Sequence, residues 1–585
     1  MVNRQINIPS SLFNYFENPR SARQKQYEAL RALVIDQMPV KDVATKFGYK
    51  ISTVYTLLRD AKADKLELFP QILKGPKRRR TPPEIMTMVL DLRKQGLSTL
   101  DIRDRMKDIG YSMSQRTVER IVKDSGFGKL KRRTNKQIGK TTKGKIIADR
   151  TEVLDFSELE PFNIDCPAVG VFFFIPYIID SGILDVVKQC DLPESSVIGS
   201  VNACLSMMLL KLIGAQRLGD IQTYDREPGL GVFAGLNVLP KATYMGTYSC
   251  RCSQDSLMDL QEKAISVLSQ KYPDFYKSEF INLDFHSIPH YGEQSEMEKV
   301  WCGAKGKTLK GANTVVAQDS QSNAILYSRA DILRKEECEE VKKFVDHWKS
   351  IKGNVSETLV FDCKFTTYSV LGDLDKDDVK FVTLRKRYAK LVAEAEMIPE
   401  EKWEKVKVSI PKRKYNRVSV HENQVVLKGC KTKLRQVIVK DHGRSKPTFI
   451  VTNNRKLSLK EILEVYAKRW RVENKLAELV AFFNLNALSS PIMARIHFDI
   501  FWTIIADTLY HVFARDLRRF EKNLAPTIFK KFINFPGKVS YDGNDFTVKI
   551  RKRAHTPILK GVAKLSSPCA VPWLDGKKIE IRWTA

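Results

Sequence analysis

The feature that most limits what this chain can fold into is the order of apolar runs between residues 280 and 384. Phe280-Ile-Asn-Leu-Asp284-Phe reads as a strand that reaches an acid, and Thr314-Val-Val-Ala and Ala324-Ile-Leu-Tyr327 read as two more strands. Glu336 to Lys349 reads as a helix, and Thr358-Leu-Val-Phe361 as a fourth strand with Asp362 directly after it. Thr367 to Leu374 is a second helix and Lys380-Phe-Val-Thr-Leu384 a fifth strand. Three strands, helix, strand, helix, strand implies an α/β sheet with one acid on its first strand and another just past its fourth.

A third acid stands in Tyr466-Ala-Lys-Arg469-Trp-Arg-Val-Glu473. On one α-helix Tyr466, Arg469 and Glu473, at i, i+3 and i+7, share a face. Alone, Arg469 and Glu473 read as a surface ion pair, a common helical pairing that contributes only ~0.2 to 0.5 kcal/mol. If the sheet brings Asp284 and Asp362 side by side, two adjacent carboxylates in a basic protein need a cation, however. Magnesium, which sits on one or two carboxylates plus substrate phosphates, suits Asp284 and Asp362. A third acid on a following helix would complete a two-metal site with ions ~3.5 to 4 Å apart, and Glu473 is the candidate.

Net charge says which partners to expect. The 585 residues carry a formal charge of +30 and a pI near 9.6, which favours polyanions such as nucleic acid. More than half of that excess lies in residues 1–150, and the rest of the chain is still basic. The ten cysteines include no CxxC pair, Cys250 and Cys252 being closest, so reduced thiols in an intracellular protein are expected. The first residues lack the apolar core of a signal peptide. The longest apolar runs, around Ala168–Ile179 and Val201–Ile213, fall short of the ~20 residues a spanning helix needs. A soluble protein with no membrane association is expected.

The basic N-terminal quarter reads as tandem helix-turn-helix units. In the first, Gln26–Met38 and Val40–Gly48 precede a helix opening at Ser52 and Thr53, with Val43, Ala44, Phe47, Val54 and Leu57 buried between helices. In the second, Ser98 and Ser114 are N-caps of the helices that follow them. The linker Lys74-Gly-Pro-Lys77-Arg78-Arg79-Arg80-Thr-Pro-Pro83 suits phosphate tracking or minor-groove insertion. Ser52, Thr53, Tyr55, Arg59, Lys77, Arg78, Arg79, Arg80, Gln115, Arg116 and Arg120 are the candidate contacts to duplex DNA.

The organisation expected is multidomain α/β. Residues 1–74 form the first helix-turn-helix, and 75–145 the basic linker and second helix-turn-helix. A helical domain covers 146–275, its apolar stripes read as core. Residues 276–387 are the first part of the catalytic core, 388–455 an inserted β-domain, 456–535 the last core helices and 536–585 a small C-terminal β module. Trp403, in the insert, could stack on a displaced base, with core packing the favoured reading. His286, two positions after Asp284, weighs as a structural histidine.

The strand order from Phe280 to Leu384 is that of the ribonuclease H-like fold, in which the acid-bearing first and fourth strands are neighbours. With Ile281-Asn-Leu-Asp284, Leu359-Val-Phe-Asp362-Cys-Lys-Phe-Thr-Thr-Tyr368, Phe381-Val-Thr-Leu-Arg385 and Tyr466-x2-Arg469-x3-Glu473, the chain resembles the DDE transposases of prokaryotic insertion sequences. More narrowly, it resembles the group marked by Tyr-x2-Arg-x3-Glu-x6-Lys. Gly235-Leu-Asn-Val-Leu-Pro-Lys241 is similar to a phrase such proteins carry ahead of the first acid, and the resemblance spans residues 150 to 520. It implies that Asp284, Asp362 and Glu473 are catalytic ligands of two Mg2+ ions, with Mn2+ as a substitute, and that Tyr466 and Arg469 contact the transposon end. Residue 480 is Val where the signature has Lys, so Arg471 and Lys475 are candidates for that phosphate contact. The resemblance further implies cleavage and strand transfer of double-stranded DNA at terminal inverted repeats and target. It also implies a homodimer or higher oligomer on paired ends, and a cytoplasmic, nucleoid-associated, prokaryotic setting. A transposase-derived DNA-binding protein that no longer cuts, and a nuclease of the same fold without strand transfer, are the alternatives. The presence of all three acids argues against the first and the tandem recognition units against the second.

Overall fold

The computed structural model describes the chain outside residues 1–9, 70–80, 129, 131–149, 293–296, 303–304, 331, 410–415, 431 and 488–491. It divides into two compact units, Met1–Leu130 and Lys131–Ala585. The expected contacts Lys77, Arg78, Arg79 and Arg80 lie outside the described residues.

The first unit opens with α1 (Ser10–Glu17). One group of helices follows, α2 (Ala22–Val34), α3 (Val40–Lys46) and α4 (Ile51–Lys62), and then a second, α5 (Pro83–Lys94), α6 (Thr99–Asp108) and α7 (Gln115–Asp124). Val43, Ala44, Phe47 and Val54 close over Ala29 and Ala32 as one small core. Val89, Ile102, Met106, Val118, Ile121 and Val122 form another. Gly48, at φ +60, turns the chain from α3 into α4, a conformation that costs glycine little. Ser98 and Ser114 do cap their helices: the Asp101 N–H donates to Ser98 Oγ and the Thr117 N–H to Ser114 Oγ, each at 3.2 Å. The start of α4 differs from expectation. Lys50 is its N-cap, without a side-chain bond, so Ser52 and Thr53 sit inside the first turn and leave their side chains exposed.

In the second unit, β1 (Phe162–Cys166) precedes α8 (Ile175–Ser181), α9 (Ile183–Gln189), α10 (Ser200–Leu212), α11 (Pro228–Phe233), α12 (Ala242–Cys250) and α13 (Gln254–Lys271). The strands β2 (Phe280–Pro289), β3 (Lys299–Cys302), β4 (Lys307–Asp319) and β5 (Ile325–Arg329) follow. Then come α14 (Glu340–Lys352), β6 (Thr358–Phe361), α15 (Tyr368–Lys376), β7 (Phe381–Leu384) and α16 (Ala389–Glu396). A β-rich run, β8 (Glu404–Lys407), β9 (Arg417–Val425), β10 (Leu434–Lys440) and β11 (Thr448–Thr452), leads to α17 (Leu459–Lys468), α18 (Trp470–Ala481) and α19 (Met493–Asp516). The chain ends with β12 (Gly537–Tyr541), β13 (Phe546–Arg551), β14 (Cys569–Ala570) and β15 (Lys578–Thr584).

The main sheet is mixed and runs β3-β4-β2-β6-β7-β11-β10-β9-β8, with β5 also on β4. β2, β6 and β7 are parallel neighbours, whereas β4 lies antiparallel to β2. The acid-bearing strands β2 and β6 are therefore adjacent, as the element order requires. β6 is buried along its whole length, the pattern of a strand covered on both faces.

Two expectations need correction. Residues 388–455 do not form a sheet of their own: β11 pairs antiparallel with β7, so β8 to β11 extend the central sheet beyond its last parallel strand. An exposed edge at β7 would leave backbone donors and acceptors unpaired, and β11 takes them. Nor is the C-terminal β module made of residues 536–585 alone. β1, far upstream, pairs with β12 to complete the sheet β1-β12-β13-β15-β14.

A single buried core runs from Leu154 to Ile579 and joins the helical region, the main sheet and the C-terminal strands. α19 passes through it buried on nearly every face, and Ile500, Trp502, Ile504, Ile505, Leu509 and Val512 all pack there. α15 lies so close to the turn after β9 that a Cβ at Gly372 would collide with the Gly429 carbonyl. Among the described residues no single helix is long and apolar enough to cross a membrane. The bent pair Val169–Ser181 and Ile183–Gln189 passes that test only when both parts are joined across a 62° break.

Candidate active site

β2 and β6 place the two aspartates. Their ladder pairs Phe280 with Thr358, Ile281 with Leu359 and Asn282 with Val360, and the same offset carried two residues further sets Asp284 beside Asp362. Neighbouring strands lie about 4.8 Å apart, so both carboxylates come within reach of one cation. Asp362 also caps the short turn Cys363–Phe365 by accepting from the Cys363 N–H. Asp284 accepts from the Phe285 N–H at 2.9 Å.

Arg469 connects the third acid to this pair. Its Nη1 donates to Asp284 Oδ2 at 2.7 Å and its Nη2 faces Glu473 Oε1 at 3.5 Å. Burial works against the guanidinium charge, yet Asp284, Tyr466, Asp362 and Glu473 around it hold Arg469 above its ordinary value. Burial raises Asp284 above the usual carboxylate range; Arg469 pulls it back and the Asp362 charge pushes the same way as burial. Burial likewise raises the Tyr466 phenol, against the Arg469 charge.

One continuous helix carrying Tyr466, Arg469 and Glu473 is not what forms. The chain breaks at Arg469, which ends α17 and begins α18. There the Arg469 N–H bonds Tyr466 O and the Val472 N–H bonds Arg469 O, both i to i+3, the tightened spacing of a 3-10 turn. The break puts Arg469 between the strand and the following helix, with Glu473 in the exposed first turn of α18 and Tyr466 against the core under α17.

The remaining candidates separate clearly. Arg471 bonds the Ser320 carbonyl at 2.9 Å and shares with Lys277 and Lys468 the wall of a cleft of about 380 Å3 beside β2. Lys475 is corrected: it is buried among Glu478, Asp507 and His511, facing away from solvent, and offers no surface to a phosphate. Val480, at the signature Lys position, packs against the core. Trp403 donates Nε1–H to the Ile398 carbonyl at 3.3 Å, carries Lys440 Nζ over its ring at 4.2 Å and packs with Leu391 and Phe449, which is a packing role. His286 pairs with Asn486 Oδ1 at 2.7 Å, and burial lowers its pKa.

In the first unit Ser52, Thr53, Tyr55 and Arg59 are exposed on α4 while Val54 and Leu57 face inward. On α7, Arg116 and Arg120 are exposed, and the half-buried Gln115 donates to Glu119. Sequence reasoning missed two features of the second unit. One is the stacked pair Phe285 and Phe365 beside the aspartates. The other is the buried Lys475 cluster, whose one signal was the spacing of Lys475 with Glu478 and of Asp507 with His511 at helical i+3 and i+4.

No ligand is needed to see what the donor set suits. Three carboxylates are hard oxygen donors of the kind magnesium prefers, and one cationic side chain bonds Asp284 and reaches Glu473. The fold and this site define a class of α/β domains that gather acids at the end of adjacent parallel strands. Residues 276–509 match the family model of the transposase DDE domain. Among solved structures the chain is similar to a piggyBac transposase synaptic complex with hairpin DNA, at 10% identity and TM-score 0.35, covering 61% of this chain and 81% of that one. It is also similar to a pre-cleavage Mos1 transpososome, at 6% identity and TM-score 0.14, covering 62% and 77%. No curated protein matches the sequence.

Proposed function

We propose that this protein is a DNA transposase with a ribonuclease H-like core that binds terminal inverted repeats and cuts and rejoins DNA with divalent cations. The observation that carries this reading is the matched register of Asp284 and Asp362, with Arg469 linking Asp284 to Glu473 across the break between α17 and α18. Asp284, Asp362 and Glu473 would hold two Mg2+ ions, with Mn2+ as a substitute. When bound, such ions activate the attacking oxygen and stabilise the leaving one in an in-line phosphoryl transfer. Arg469 keeps the carboxylates apart and oriented before the ions and DNA arrive, and Tyr466 supports it from the core side. Because the acids act as ligands and not as nucleophiles, no covalent protein intermediate is required.

Double-stranded DNA enters this reading from the basic charge and from two surfaces. Arg471, Lys277 and Lys468 line a cleft on the strand that bears Asp284, positioned to take backbone phosphates. The exposed faces of α4 and α7, with Tyr55, Arg59, Arg116 and Arg120, are the proposed readers of the repeat, each carried on a separate small core. Assembly on paired ends as a homodimer or higher oligomer is part of the same proposal.

The test is a cleavage assay on supercoiled donor DNA bearing the element ends, with Mg2+ or Mn2+. Ends cut and joined by wild type, and uncut by Asp284→Asn, Asp362→Asn or Glu473→Gln, are expected. Binding without any cutting by wild type would leave a DNA-binding protein, and cutting without joined products a nuclease.

A further inference from the structure

Lys475 stands two residues after Glu473 and is almost wholly buried. Its ammonium donates to Asp507 Oδ1 at 2.6 Å and to Glu478 Oε2 at 3.0 Å, and lies 2.9 Å from His511 Nε2. Glu478, Asp507 and His511 by themselves resemble a cation site, since their ligand atoms lie within 4.8 Å of one another. The lysine ammonium is the cation that fills it.

Two residues along an α-helix turn the side chain by about 200 degrees, so Lys475 points into the core while Glu473 points outward, facing the Arg469 guanidinium that bonds Asp284. Whatever fixes the rotation of α18 about its axis therefore fixes where Glu473 points. Val472, Leu476 and Leu479 also face inward, but apolar contact is non-directional and tolerates small rotations. Bonds from one ammonium to Asp507 and His511, both on α19, do not. At the N-terminal end of α18, Arg469 bonds Asp284 and Arg471 the Ser320 carbonyl, and the Lys475 tether adds a fixed point further along the helix, on its buried side. Buried ion pairs are poor sources of stability, and their best-attested use is to specify register.

We infer that Lys475 is a positioning residue: its buried tether to Asp507 and His511 sets the rotation of α18 and so the place of Glu473 among the metal ligands. This rests on the proposed role of Glu473.

The experiment measures Mn2+ affinity by titration calorimetry on the full chain with end DNA bound, together with DNA-end affinity and thermal midpoint. It compares wild type, Lys475→Met, Lys475→Gln, Glu473→Gln and the double variant Lys475→Met/Glu473→Gln. Lys475→Met is expected to weaken Mn2+ binding about tenfold with DNA-end affinity retained, and Lys475→Gln to weaken it less. On the Glu473→Gln background Lys475→Met should add less than about twofold, because the two changes act through one ligand. Full additivity in the double variant, or wild-type Mn2+ affinity in both folded Lys475 variants, would overturn the inference. Failure of both Lys475 variants to fold would also overturn it, making the lysine a stability residue. If wild type binds no Mn2+, or Glu473→Gln binds it as wild type does, the proposed role of Glu473 fails instead.

Discussion

Phe285 lies flat against Phe365, with ring centroids 4.0 Å apart and planes 14° from parallel. Each ring is next to, or on the turn capped by, one of the two aspartates, so the stack ties the end of β2 to the turn that follows β6. A Phe285→Leu variant keeps most of the apolar burial and loses the aromatic pairing, which is worth about 0.5 to 1.5 kcal/mol. Urea unfolding should show a loss in that range. Metal-dependent cleavage should fall further than DNA binding, because the carboxylates lose their fixed separation.

Removing any of the three acids should abolish chemistry without unfolding the protein. Asp284→Asn, Asp362→Asn and Glu473→Gln are each expected to lower cleavage by about 10²-fold or more, the scale of several kcal/mol of metal-derived stabilisation. Gel-shift affinity for the ends should stay close to wild type. A variant that cleaves at the wild-type rate would remove its residue from the ligand set.

The proposed contact of the first unit with DNA should appear in salt dependence. Arg59, Arg116 and Arg120 are exposed and stand on helices whose buried residues lie elsewhere on the surface of each helix. Replacing one of them by Ala should leave the circular dichroism melt unchanged. If that arginine neutralises a phosphate, the slope of log affinity against log salt should become shallower by about one for each arginine replaced. An unchanged slope in all three would place the DNA surface elsewhere.

Acid should destabilise the second unit well above the ordinary carboxylate range. Burial, reinforced by the Arg329 charge, lowers His497 from 6.5 to about 4. Burial and the Lys475 ammonium lower His511 to about 3. The unfolded chain takes up these protons as pH falls through about 6.5, whereas the folded chain resists until far lower. Stability is therefore complete above pH ~6.5 and is lost as pH falls toward ~4, by up to about 3 kcal/mol for His497. The urea midpoint should drop between pH ~7 and pH ~5, and His497→Phe should shrink that drop.

Much of the site is readable from local pattern. The order of strands and helices from Phe280 to Leu384 specifies which strands carry Asp284 and Asp362, because alternation and helical period are properties of a few consecutive residues. The caps Ser98 and Ser114, the buried Val43, Phe47 and Val54, and the core side of α19 follow for the same reason. What lay beyond the sequence are relations between residues far apart in the chain. The pairing of β11 with β7, and of β1 with β12, depends on which strand edge stands open in the finished sheet. The bond from the Arg469 guanidinium at the break joins it to the Asp284 carboxylate, 185 residues upstream. Lys475 has the charge of a surface residue and a sequence neighbourhood full of basic residues; only Asp507 and His511, brought against it by the packing of α18 on α19, make its burial tolerable. Local periodicity is written in the chain. Whether a charged side chain faces DNA or fills an internal cation seat is decided by its partners, and tertiary packing chooses those.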